Sequence, residues 1–185
     1  MNKAVIFLAE GFEEAEAVDT IDVLRRGKIK TTAVSISEEH KVKGAHGITL
    51  IADALFSETD FSDVDALILP GGMPGASHLN TCEPLKQLLV KHYEERKLIA
   101  AICAAPIVLG GLGLLKGRRA TCYPGFGHQL IGATLSDDPV VADGNIITGR
   151  GPGLVFDFAL AILSHMQTKL WADDVANELL ILKLF

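Results

Sequence analysis

Cysteine, aromatic residues and positive charge are all in short supply in this chain. Of its 185 residues three are cysteine, one is tryptophan and two are tyrosine, and Phe, Trp and Tyr together make up 6%. Cys82, Cys103 and Cys122 cannot all pair with one another, lie far apart and show no CxxC spacing. That argues against a disulfide scaffold and against a structural zinc site, so no metal is expected. Lys and Arg number 17 against 23 Asp and Glu, a formal net charge of −6. No basic run offsets that acidity, so nucleic acid and anionic membranes are not expected partners. Long hydrophobic runs are also missing. The first, Ala4 to Ala9, is too short to cross a bilayer, and no small-residue cleavage site follows it. A soluble cytoplasmic protein with reduced thiols is the expectation.

What the chain does contain is a regular alternation of patterns. With 49% hydrophobic and 22% charged residues it is no disordered polymer. Its length suits one domain over residues 1–185, large enough to bury a core without staples. Ala4 to Ala9, Thr31 to Ile36, Ile48 to Ile51, Leu67 to Leu69 and Leu98 to Ile102 are short apolar runs of strand type. Between them lie helical spacings: Ala17, Val18, Ile21 and Leu24, with Gly27 placed to end that helix, and Leu85, Leu88, Leu89 and His92 after Pro84. Ala105 to Leu115 reads as helical in its early part. Val140 to Ala142 and Asn145 to Thr148 read as a hairpin around Asp143-Gly144. A helix follows Gly153, and a last one is expected from Asp173 to Leu182. Strands alternating with helices predict an α/β protein with a mainly parallel sheet covered on both faces.

Sites in open α/β sheets form at the carboxyl ends of strands, so the residues just past each strand carry the functional information. Three such ends stand out. After the strand at Leu98, Ala101 and Ala105 flank Cys103 two positions before and two after, the small-residue layout that a nucleophile elbow needs. A helix start there would lower the thiol pKa from about 8.5. On spacing alone a packed core cysteine remains an equal reading. Gly71 and Gly72 follow a strand and can turn N–H groups toward an oxyanion, or simply make a turn. Glu13, Glu14 and Glu16 fall in the first turn of a helix, where each alone reads as a solvated carboxylate on the dipole.

Taken together, Ala9-Glu10-Gly11-Phe12-Glu13-Glu14-Ala15-Glu16, Leu69-Pro70-Gly71-Gly72, Ala100-Ala101-Ile102-Cys103-Ala104-Ala105-Pro106 and Thr148-Gly149-Arg150-Gly151-Pro152-Gly153 resemble the DJ-1/ThiJ/PfpI superfamily, and most of all its DJ-1 branch. The resemblance runs through nearly the whole chain in order. It implies a flavodoxin-like three-layer sandwich, a homodimer, and Cys103 as a nucleophile on an elbow. It also implies Glu16 as the carboxyl partner of that cysteine, with backbone N–H groups from Gly72 and Ala104. Activities attributed to the branch are cofactor-independent glyoxalase, deglycation of methylglyoxal adducts, and redox-sensing chaperone behaviour. Gly71, Tyr123, Pro152 and His46 complete the expected lining.

The chain departs from its relatives at three places. Tyr123, in Thr121-Cys122-Tyr123-Pro124, stands where many relatives have a histidine. His46, in Gly44-Ala45-His46-Gly47, stands where some dimeric relatives have an arginine reaching toward the partner. Ala104 stands where the protease-like branch has a histidine, which removes a Cys–His dyad and weakens a peptidase reading. Physics restricts Glu16 as well. An ionised carboxylate raises a neighbouring thiol's pKa, whereas a protonated one donates to sulfur, so the two groups titrate as one system. The leading expectation is an enzyme on small aldehydes or glycated substrates that needs no cofactor. The alternative is a redox-responsive protective protein without efficient turnover.

Overall fold

The computed structural model describes residues 1–181. The opening apolar run forms β1 (Lys3–Leu8), with its last five residues buried. In chain order there follow α1 (Glu14–Arg26), β2 (Lys30–Ser35), β3 (Lys41–Lys43), β4 (Thr49–Ile51), β5 (Ala54–Leu55), β6 (Ala66–Leu69), α2 (Gly75–Thr81), α3 (Glu83–Glu94) and β7 (Leu98–Ile102). The second half supplies α4 (Pro106–Gly111), β8 (Arg119–Ala120), β9 (Thr134–Leu135), β10 (Val140–Asp143), β11 (Ile146–Gly149), α5 (Val155–Met166) and α6 (Lys169–Glu178).

Seven strands form one sheet in the order β10-β11-β7-β6-β1-β2-β5. Every neighbouring pair is parallel except the hairpin β10–β11 at one edge. Strands buried on both faces carry continuous apolar runs because helices cover each side. β6 and β7 show this, with all nine of their residues buried. α1, α5 and α6 pack together as one helical group, and α2, α3 and α4 as another. The result is a flavodoxin-like three-layer α/β sandwich. Phe7, Phe56 and Phe61 close one part of the core, with ring centroids 4.9 to 6.0 Å apart. No helix among the described residues is long and apolar enough to cross a membrane.

Of three local expectations, the end of α1 at Gly27 holds and two need correction. Ile48 to Ile51 does hold a strand, β4, but it lies outside the central sheet. It pairs antiparallel with β3 in a separate ribbon, Val42 opposite Leu50. Gly27 ends α1, yet at φ −70° it is not the left-handed residue; Lys28 is, at φ 60°. What Gly27 provides is room, since a Cβ there would lie 2.2 Å from Leu163 Cδ1 of α5. The last helix starts at Lys169 rather than Asp173, because the Thr168 side chain caps it by accepting the Trp171 N–H at 3.3 Å. Its buried residues are Ala172 and Val175, while Leu180 is exposed beyond its end. Leu182, the expected end of that helix, lies outside the described residues.

Candidate active site

β2 lies on one side of β1 and β6 on the other, so the crossovers diverge between β1 and β6. That divergence opens the crevice in which doubly wound sheets bind ligands. The residues past β1, β6, β7 and β11 all lie at the same carboxyl edge because these strands run parallel.

Cys103 follows β7 directly and takes φ +62°. Lys28, Arg96 and Leu180 share this left-handed conformation among the described non-glycine residues, but they are exposed, whereas Cys103 is only 9% exposed. Holding a non-glycine residue there costs about 1–2 kcal/mol, so the surroundings must enforce it. They do so from both sides: the Cys103 N–H donates to the Gly149 carbonyl at 2.9 Å, and the Cys103 carbonyl accepts the Tyr123 N–H at 2.8 Å. Ala101 and Ala105 are fully buried around the bend, where larger side chains would find no space.

α1 brings Glu16 to the same point, with the residue fully buried. Its Oε2 accepts the Gly71 N–H at 2.7 Å. Gly71 also lies between the two reactive side chains. A Cβ there would stand 2.6 Å from Cys103 Cβ and 2.8 Å from Glu16 Oε2. Gly72, at φ +84°, packs so closely on the chain before α1 that a Cβ would meet Glu13 N at 2.3 Å. The backbone N–H groups of Gly72 and Ala104 act on the Cys103 thiol and favour its anion. Gly71 therefore serves the carboxyl and Gly72 the sulfur.

Burial drives both groups toward their neutral forms. It pushes the Glu16 carboxyl up to about 7, against the Gly71 N–H and the Cys103 contact, which favour the anion, and with a small addition from Glu13. It pushes the Cys103 thiol up to about 12, with the Glu16 charge adding to the rise and the Gly72 and Ala104 N–H groups opposing it. The first proton to leave belongs to the pair rather than to either residue. This changes the expectation of a thiol lowered by a helix start. α4 has six residues and begins only at Pro106, so the charge on sulfur depends on whether Glu16 keeps its proton. Glu16 Oε1, buried with no hydrogen-bond partner, is left free for that proton.

The other expected residues fall in different places. Tyr123 joins the site through its backbone, and its half-exposed ring lies over Gly151, where a Cβ would stand 3.2 Å from Cδ2. Pro152 is half-buried in the short turn that leads into α5. His46 does not sit on the thiol. Its Nδ1 lies 3.0 Å from Glu14 Oε2 and 3.6 Å from Glu13 Oε2. Cys82 stands at the start of α3 without a side-chain cap bond, burial raises Cys122, and Arg150 Nη1 pairs with Asp137 at 2.7 Å.

Glu14 and Glu16 are not the solvated carboxylates that each alone suggested. Both are buried, and Glu14 Oε1 accepts the N–H groups of His46 at 2.8 Å and Ile48 at 3.2 Å. Burial alone would raise Glu14, but these bonds and the His46 ring hold it below its usual value. Glu13, Glu14 and His46 form one cluster of carboxylates and imidazole with ligand-type atoms within 4.8 Å of one another, and there the imidazole itself occupies the space between the carboxylates. The role of Gly149 in holding Cys103 went unread, since a backbone carbonyl leaves no mark on sequence.

A parallel sheet whose carboxyl edge holds a buried left-handed cysteine, backbone N–H groups on its sulfur and a buried carboxyl beside it defines a protein of the cysteine-elbow class. The model of the DJ-1/PfpI family matches residues 2–165, and the chain belongs to that family. It is 40% identical over 181 residues to protein DJ-1 homolog B of Arabidopsis thaliana, covering 97% of this chain and 41% of that protein. The chain thus spans less than half the length of that relative. It is 34% identical over 165 residues to the glutathione-independent glyoxalase DJR-1.2 of Caenorhabditis elegans, covering 88% of this chain and 87% of the relative. The crystal structure of a mutant DJ-1 superfamily protein from Salmonella typhimurium superposes with a TM-score of 0.93 at 37% identity, over 97% of this chain and 98% of that one.

Proposed function

We propose that the protein is a cysteine-dependent enzyme acting on small carbonyl compounds, of glutathione-independent glyoxalase type, working as a homodimer. The observation that carries this reading is the pairing of a buried carboxyl, pushed up to about 7, with a thiol that receives two backbone N–H groups. A carboxyl poised near neutral pH both gives and takes a proton, as general acid–base catalysis requires. The glyoxalase name of the worm relative supports the choice of substrate class.

For an α-oxoaldehyde such as methylglyoxal the chemistry balances without an outside oxidant or reductant. Once the pair has lost its first proton, the Cys103 thiolate adds to the aldehyde carbon, forming a C–S bond, and the oxygen takes the Glu16 proton to give a hemithioacetal. Glu16, now ionised, removes the proton from that carbon and returns it to the neighbouring carbon. The hemithioacetal hydroxyl gives up its proton as the ketone oxygen gains one, so the aldehyde carbon is oxidised to a thioester while the ketone carbon is reduced to an alcohol. Water then cleaves the C–S bond, releasing lactate and the thiol. Gly71 holds the carboxyl in place throughout, while Gly72 and Ala104 steady the anionic sulfur.

The test is D-lactate formed from methylglyoxal by wild type and by Cys103→Ser and Glu16→Gln. Turnover by wild type and loss of about 10²–10⁴ in the variants is expected. No turnover by wild type above buffer, or equal turnover by Cys103→Ser, overturns the reading.

A further inference from the structure

Two residues before Glu16, the chain gathers charges that this chemistry does not use. The β3–β4 ribbon folds its connecting loop over the start of α1. Gly11 N–H donates to Lys43 O at 2.8 Å and Ala45 N–H to Phe12 O at 2.8 Å. Gly44 presses on the Glu14 carboxyl, where a Cβ would stand 2.3 Å from Cδ. On this platform the His46 side chain, 69% exposed, rests between Glu14 and Glu13. Glu13 reaches the reactive pair in two ways. Its N–H donates to Gly71 O at 2.9 Å, the same residue whose N–H holds Glu16, and its charge acts on the Glu16 carboxyl.

We propose that His46 is a positioning residue whose charge, relayed through Glu13, sets the pH at which the Cys103–Glu16 pair loses its first proton. The proposal rests on the reading of that pair as the reactive centre, though not on its turning over any substrate. Protonated, His46 neutralises part of the negative charge at the start of α1, and one negative charge on the pair then meets less opposition. Neutral, it leaves the Glu13 charge uncompensated, and the pair holds its proton more tightly. Glu14 and Glu13 draw the imidazole toward its charged form, so its switch lies above the usual histidine value. Within one protomer and among the described residues, the charged groups acting on His46 are these two carboxylates of the α1 start, and those acting on Glu16 are Glu13 and Cys103. From the ribbon itself the flanking charges are the exposed Lys41 and Lys43. The loop's grip on Glu14 uses the backbone N–H groups of His46 and Ile48, so changing the imidazole leaves the platform in place.

The experiment follows the rate of Cys103 alkylation by iodoacetamide from pH 5 to 9 in wild type, His46→Gln and His46→Arg, with near-ultraviolet circular dichroism as the check on folding. Arginine keeps the cation at every pH and glutamine never has it. The midpoint should be lowest in His46→Arg and highest in His46→Gln, separated by about 0.3 pH unit or more, which is about twofold in rate on the rising limb. Wild type should follow the arginine variant at low pH and the glutamine variant at high pH. The gap should narrow as ionic strength rises from 0.01 to 0.15 M and collapse when Glu13→Gln is added to both variants. Superimposable profiles in all three proteins, or a gap that survives Glu13→Gln, overturn the proposal. Because alkylation needs no substrate turnover, a failed glyoxalase assay with ordered midpoints would refute the proposed reaction and leave this inference standing.

Discussion

Replacing Glu16 by glutamine asks whether burial of that carboxyl costs the fold what its environment says it must. The residue is fully buried and pushed from its ordinary 4.5 up to about 7, with burial the largest cause. A folded state that binds a proton more tightly than the unfolded chain gains stability that is complete below about pH 4.5 and is lost as pH climbs through 7. At 1.36 kcal/mol per decade, the loss between pH 4 and 7.5 is about 3 kcal/mol. Glutamine keeps the shape, can accept from Gly71 N–H through its carbonyl, and does not titrate. Urea unfolding of both proteins across that range, at constant slope with denaturant, gives the difference in stability at each pH. Wild type should fall relative to Glu16→Gln by about 3 kcal/mol from pH 4 to 7.5, or about 6–12 °C in melting temperature. Titrations outside the Cys103–Glu16 pair, including the lowered Glu14, are common to both proteins and cancel. A difference that stays level across the range would mean that Glu16 titrates in the fold as it does in the unfolded chain, and proton transfer from a carboxyl poised near neutral pH would fall with that result.

Gly71→Ala should drive a methyl between Cys103 and Glu16, cost about 1–3 kcal/mol by overpacking, and shift the Cys103 alkylation profile; an unchanged profile would show that the close approach there is irrelevant. Thr168→Ala should remove the α6 cap and cost about 1 kcal/mol in urea unfolding while leaving Cys103 alkylation untouched. Light scattering at micromolar concentration should give about twice the chain mass of 19.8 kDa, and a mass near 20 kDa would count against the homodimer.

Much of the fold was legible because parallel strands covered on both faces must be apolar throughout, as β6 and β7 are and as β1 is after Lys3. Cys103 was legible for a related reason: the elbow needs small neighbours, and Ala101 and Ala105 stand where they must. Glu16 was not legible from its own neighbourhood. Three glutamates at a helix start look alike in sequence, and only the resemblance singled one out. What singles out Glu16 is that its carboxyl takes the Gly71 N–H, a partner 55 positions away in the chain. The start of α6 was misplaced because Thr168 acts as a cap through a single hydroxyl, ahead of the first residue with an apolar period. The seat of His46 depends on a ribbon that folds back over 32 positions to reach Glu14, a distance no local pattern encodes.

The reactive pair is assembled from the ends of strands that meet only through crossovers, with Glu16 and Gly71 55 positions apart. Before β1, β6 and β7 align, Cys103 is an ordinary cysteine on a flexible chain, with neither a carboxyl nor two N–H groups beside it. Non-local parallel pairing of this kind forms slowly and late. Cys103 is therefore a built-in clock for folding. During refolding its reactivity should change character once, at the step that registers these three strands and docks α1 beside them. A short pulse of alkylating reagent, applied at successive times, would read that moment from a single side chain.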